Sequence, residues 1–247
     1  MSPVATSLVV FLCVFGGALV GIALRRVLPE HHLSAETKDV VRAAMALVST
    51  MSALVLGLLV ASAKATYDTQ KDELTSLSAN VTLLDRILGH YGTEAAPARA
   101  LLKEAVADTL AHVSQGAGGV AAPSARSQSI YDAVLGLAPQ SDLQRSLKTE
   151  AQSLMLTIGR TRTLMLAQSK NTISFTLLAV VVFWLTINFV SFGLYAKPNA
   201  TSTAALFLAA ISVAGAILLI LEMDTPYQGL IHISDAPLRD ALSRIGN

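Results

Sequence analysis

Charge is what this sequence has least of. Lys, Arg, Asp and Glu make up 14% of its 247 residues, where a soluble domain averages about 25%. The near-balanced net charge of +1 gives no basic surface of the kind that holds nucleic acid. The single cysteine, Cys13, excludes an intrachain disulfide and any cysteine-rich zinc site. Catalytic signatures are also missing: there is no nucleophile elbow, phosphate-binding glycine loop or HExxH. His31 and His32 are adjacent, so on a helix they diverge, while His90, His112 and His232 are scattered. The expectation is a chain that is not an enzyme, with no cofactor and no metal centre, because such sites need convergent ligands.

The charge deficit is concentrated in four windows, 5–24, 43–63, 171–196 and 198–221, which contain no charged residue. Each reaches the roughly 20 apolar residues needed to cross about 30 Å of hydrocarbon as a helix. The first is a poor signal peptide, because MSPVATS carries no Lys or Arg, and Arg25 and Arg26 follow the apolar run. It is therefore expected to stay in the mature protein. The reading is all-α and polytopic: a first transmembrane pair over 1–64, an extramembrane helical domain over 65–170, a second pair over 171–223 and a tail over 224–247.

The polar middle has helical rather than strand periodicity. Leu74, Leu77, Val81, Leu84 and Leu88 step by three and four, and no Gly or Pro lies between Gly57 and Gly89. The spacing predicts one helix over 42–88, ended by Gly89 or Gly92, with Ser34 as a candidate N-cap upstream. Further helices are expected after Thr93, with Pro97 in the first turn, around Ile130 to Leu135, and after Ser141 through Leu143, Leu147, Leu154, Ile158 and Leu164. QGAGGVAAPS, 115–124, reads as a mobile loop. In the tail, Pro226 and Gly229 break the fourth span, and Ser234 or Asp235 can cap a last helix. The number of apolar stripes suggests that part of them, Leu77 and Val81 included, is covered by other copies of the chain.

Small and polar residues within the spans are the candidate sites. Gly17 and Gly21 form a GxxxG, and Gly57 with Ala61 a similar small pair, either of which lets helices approach closely within or between subunits. Asn188 needs a partner across a helix interface. Ser49, Ser52, Leu56 and Leu59 in the second span would line a pore, with Leu56 at an apolar gate; plain helix packing is the equal alternative. Glu222 and Asp224 end the fourth span and would make an acidic ring at a pore mouth in a symmetric oligomer. Asp85 and Arg86 read as a solvated or intersubunit charge pair. Positive charges in the short loops place the polar middle outside the cytoplasm, whereas counting Lys64, Lys71, Arg160, Arg162 and Lys170 reverses this.

The stretches LPEHHLSAETKDVV, ALVLGLLVASAKATYDTQ, LLDRILGHYG, FWLTINFVSFGLYAKPNAT and ILLILEMDTPYQGLIHISDAPLRDAL resemble a bacterial family of unknown function called bestrophin-like, over Leu28 to Leu242. Bestrophins are pentameric anion channels with four-span subunits and a helical domain between spans two and three. The resemblance implies a homo-oligomeric channel of the inner membrane, in contact with lipids and inorganic ions, with a pentamer implied by the resemblance alone. The second span here offers Leu54 to Val60 and no Phe, unlike the aromatic neck of bestrophins. The alternative reading is a non-conducting scaffold or sensor of the cell envelope.

Overall fold

Eight α-helices and one 3₁₀ turn account for the regular structure of the computed structural model, which describes residues 2–29, 35–115, 125–168, 175–196, 199–227 and 229–246. Among these there is no strand. The helices are α1 (Pro3–Val27), α2 (Ala35–Tyr91), α3 (Ala96–Ser114), α4 (Ala125–Leu135), α5 (Asp142–Gln168), α6 (Phe175–Tyr195), α7 (Ala200–Asp224) and α8 (Ala236–Arg244). Four of them, α1, α2, α6 and α7, are long and apolar enough to cross a membrane. The Ser34 cap, almost all of the 115–124 loop and the Lys197–Pro198 link lie outside the described residues.

The local rules explain where the helices start and stop. Ser2 Oγ accepts from Ala5 N at 3.2 Å with Pro3 at the first position of α1, and Asn199 Oδ1 accepts from Ser202 N at 2.6 Å to open α7. Between Ala61 and Leu74 the α2 helix is unbroken, as expected for a stretch without Gly or Pro. It passes through Gly89 and ends at Gly92, whose φ of 122° suits a residue without Cβ. Ser141 Oγ accepts from Gln144 N at 3.1 Å at the start of α5. Lys148 Nζ donates to the Leu135 and Leu137 carbonyls, both at 2.7 Å, satisfying the end of α4.

Two units result. The first comprises 1–66 and 173–224. Its core is Val10, Val14 and Ala18 of α1, Leu59 and Ala63 of α2, Leu178, Val181 and Phe189 of α6, and Ala210, Ile217 and Ile220 of α7. Phe11 and Phe15 meet Phe207 edge-on at 5.6 and 5.3 Å. Ser7 Oγ donates to the Ala214 carbonyl at 2.7 Å, joining α1 to α7.

The second unit comprises 67–172 and 225–247, so the tail packs with the polar middle. Leu74, Leu77, Val81, Leu84 and Leu88 are all buried here, against Leu102, Val106, Val113, Val134, Ala151, Met165, Leu238 and Ile245 among others. This corrects one expectation: the Leu77 and Val81 stripe is covered by the chain's own helices, so other copies are not needed to cover it. The periodicity showed that the stripe must be buried but not by what.

Candidate functional site

The sites nominated from sequence fall in the membrane unit, where α1 and α6 pack most closely. A Cβ at Gly21 would stand inside the contact radius of the Val190 carbonyl oxygen, and one at Gly193 inside that of Ala18. A Cβ at Gly17 would lie 3.0 Å from Thr186 Cγ2. The GxxxG pair therefore meets α6 within the chain, and Gly193 completes the contact from the other side. Gly193 was not anticipated, because a single glycine in an apolar run carries no spacing signal. Gly57, by contrast, has open space around it.

The second span shows two faces. Ser49 Oγ donates to Asn188 Oδ1 at 2.9 Å, and Asn188 Nδ2 donates to the Trp184 carbonyl at 3.1 Å, so the amide finds partners on both sides. Ser52 is 2% exposed and bonds its own helix at Val48 O, Leu59 is 4% exposed, and Leu56 packs against the same core. These four positions share the side of α2 that is turned to the chain's other spans. The opposite side carries Leu47, Leu54 and Leu58, exposed by 65, 70 and 66%, together with Val40 and Met51. At 100° per residue these five positions form one stripe. Only about a tenth of the apolar window of α2 is covered within the chain, against a third for α1.

Glu222 is buried in the membrane unit, and Asp224 at the last position of α7 is half-buried. Neither is an open acidic surface in the single chain.

In the second unit Asp85 is buried and takes a bidentate pair from Arg99, Nε at 2.8 Å and Nη2 at 2.9 Å. Gly246 N adds a third donor at 3.2 Å. This corrects the pairing expected from sequence: Asp85 pairs with Arg99 across a turn, while Arg86 beside it is exposed. The bond to Asp85 raises the Arg99 pKa above its ordinary value. Tyr227 is pushed up to about 12 by burial and, secondarily, by the charge of Glu73. Among the described residues no three His, Cys, Asp or Glu side chains converge as metal ligands.

Four apolar helices with small-residue contacts, joined to a helical unit with its own core, define a multi-pass membrane protein of all-α class. The family model of the bestrophin-like domain matches residues 12–238, and the chain belongs to that family. No curated protein and no solved structure matches it.

Proposed function

We propose that this bestrophin-like protein assembles with further copies of itself into an ion channel of the bacterial inner membrane, with α2 lining the path. The observation that carries the reading is the Val40–Leu47–Met51–Leu54–Leu58 stripe on α2. It is the membrane helix least covered by its own chain. In a ring of copies such a peripheral helix is the one available to face an axis. The lining then consists of Leu47, Met51, Leu54 and Leu58, while Ser49, Ser52, Leu56 and Leu59 hold the helix to its subunit. A narrow neck of such side chains closes by losing its water, since an ion cannot enter without hydration. Family membership supports the same reading. Asp224, beside buried Glu222, is the candidate for an acidic contribution near the end of α7.

The test is current through reconstituted bilayers. Leu54→Ser and Leu58→Ser should raise the leak, whereas Leu12→Ser, on an equally exposed face of α1, should not. Leu56→Ser should act mainly on stability. Protein that is electrically silent in native, Leu54→Ser and Leu58→Ser forms, under voltage and stretch, would reject conduction and favour a non-conducting scaffold or sensor.

A further inference from the structure

The membrane unit has a crevice of about 510 Å³ between α2, α6 and α7 that no part of the proposed conduction path uses. Val41 and Met45 of α2, Phe192 of α6 and Leu206 of α7 give it an apolar wall. Its polar lining sits where the spans end. Arg42 immediately precedes the uncharged window of α2, Tyr195 closes α6, and Ser202 lies in the first turn of α7. That level of a span is where lipid headgroups meet hydrocarbon, and where Tyr and Arg are favoured. Ser191 adds a further hydroxyl. Arg25, near the end of α1, donates through Nη1 to the carbonyl of Ala196, itself a lining residue, so a second guanidinium stands at the same rim. Arg42 is the one charged residue among the described lining residues. It pairs with Asp39 at 3.8 Å, but the two side chains are 69 and 77% exposed, and such a contact is too weak to keep the guanidinium from another acceptor.

We propose that this crevice holds one anionic glycerophospholipid, with its phosphate on Arg42 and the neighbouring hydroxyls and the first carbons of its tails against Met45, Phe192 and Leu206. The apolar wall belongs to spanning helices, so a hydrocarbon chain reaches it from the bilayer. A free anion would leave that wall unmatched. The crevice does not have to contain the whole lipid, because the tails continue into the surrounding bilayer. A guanidinium binds two phosphate oxygens through parallel bonds, which fixes the headgroup. A headgroup that carries an ammonium would bring its cation up to Arg42 and Arg25, so one with net negative charge is preferred.

The experiment titrates the full chain in detergent micelles with phosphatidylglycerol, phosphatidylethanolamine or glycerol 1-phosphate, read by native mass spectrometry. One phosphatidylglycerol per chain should stay bound, at least tenfold more tightly than phosphatidylethanolamine, and glycerol 1-phosphate should not be retained. Arg42→Gln should weaken retention tenfold or more, the scale of a charged hydrogen bond, and Arg42→Lys should weaken it less. Arg26→Gln, exposed at the end of α1 and outside the lining, should leave retention unchanged, which separates a site from general attraction to a basic face. Ala205→Trp, which fills the crevice and leaves both arginines in place, should abolish retention. Circular dichroism checks the fold of each variant. If Arg42→Gln does not fold, the ratio of the two lipids on the native chain decides. Equal retention of the two lipids, equal loss with Arg26→Gln, or full retention by folded Ala205→Trp would each overturn the proposal. So would a native chain that retains no phosphatidylglycerol, and a fall in assembly mass with Ala205→Trp would then assign the crevice to a second copy.

Discussion

Adding one methyl group at Gly193 tests the α1–α6 contact directly. The new Cβ would enter the contact radius of the Ala18 carbonyl oxygen and stand 3.0 Å from Ala18 C and 3.1 Å from Ile22 N. All three are backbone atoms, so no side chain can rotate away, and the helices must separate. Overpacking of this kind costs about 1–3 kcal/mol. Replacing a helical glycine by alanine returns up to ~1 kcal/mol in propensity. The net expectation for Gly193→Ala is a loss of about 1–2 kcal/mol. Gly21→Ala should lose a similar amount, since its Cβ would meet Val190 and, at 2.9 Å, Leu194 N. Gly16 and Gly215 are in helices with nothing within 4 Å, so Gly16→Ala and Gly215→Ala should be neutral or stabilising. Once one substitution has parted α1 from α6, the second has less to disturb, so the Gly21→Ala/Gly193→Ala double variant should lose less than the sum. The assay is reversible unfolding in mixed micelles with rising SDS. Stabilities for Gly193→Ala and Gly21→Ala that match those of Gly16→Ala would refute the close contact.

Asp85→Asn should destabilise the helical unit by about 1–3 kcal/mol, because it removes the charge from a buried acceptor that takes three hydrogen bonds, whereas Arg86→Ala should stay within ~0.5 kcal/mol in the same denaturation assay. A double-mutant cycle on Ser49→Ala and Asn188→Leu should give a coupling of about 0.6–1.7 kcal/mol, and zero coupling would mean the bond between α2 and α6 contributes nothing. Tyr227 should ionise near pH 12, where an exposed tyrosine ionises near pH 10, as read by ultraviolet difference absorbance with Tyr227→Phe as the reference. Its folded pKa is raised, so the contribution to stability is complete below about pH 10 and is lost as pH rises towards 12. Gly57→Leu, in open space on α2, should leave unfolding of the single chain unchanged while lowering the assembly's mass if α2 packs against another copy.

The spans were legible in the sequence because crossing hydrocarbon imposes a length and a composition that leave a local trace. The unbroken α2 was legible for a similar reason: nothing between Gly57 and Gly89 could end a helix. At the last helix the N-cap position falls to Asp235, whose side chain makes no capping bond, but the cap at Ser141 could be placed because a capping side chain acts within three residues of itself. Partners could not. Leu77 and Val81 had to be buried, yet whether by this chain or another is a property of helices far away in sequence. Asp85 chose Arg99 over its neighbour Arg86 because only the turn at Gly92 brings α3 back beside α2. Which face of α2 meets the other spans was equally hidden, since both faces are apolar and the period of 3.6 is the same for each. The bond from Ser49 to Asn188 and the burial of Ser52 and Leu59 decided it, and turned the leucine stripe outward. Sequence fixes which groups need partners, through chemistry local to each residue. Tertiary structure decides which partners they receive, because packing depends on surfaces that no window of neighbouring residues contains.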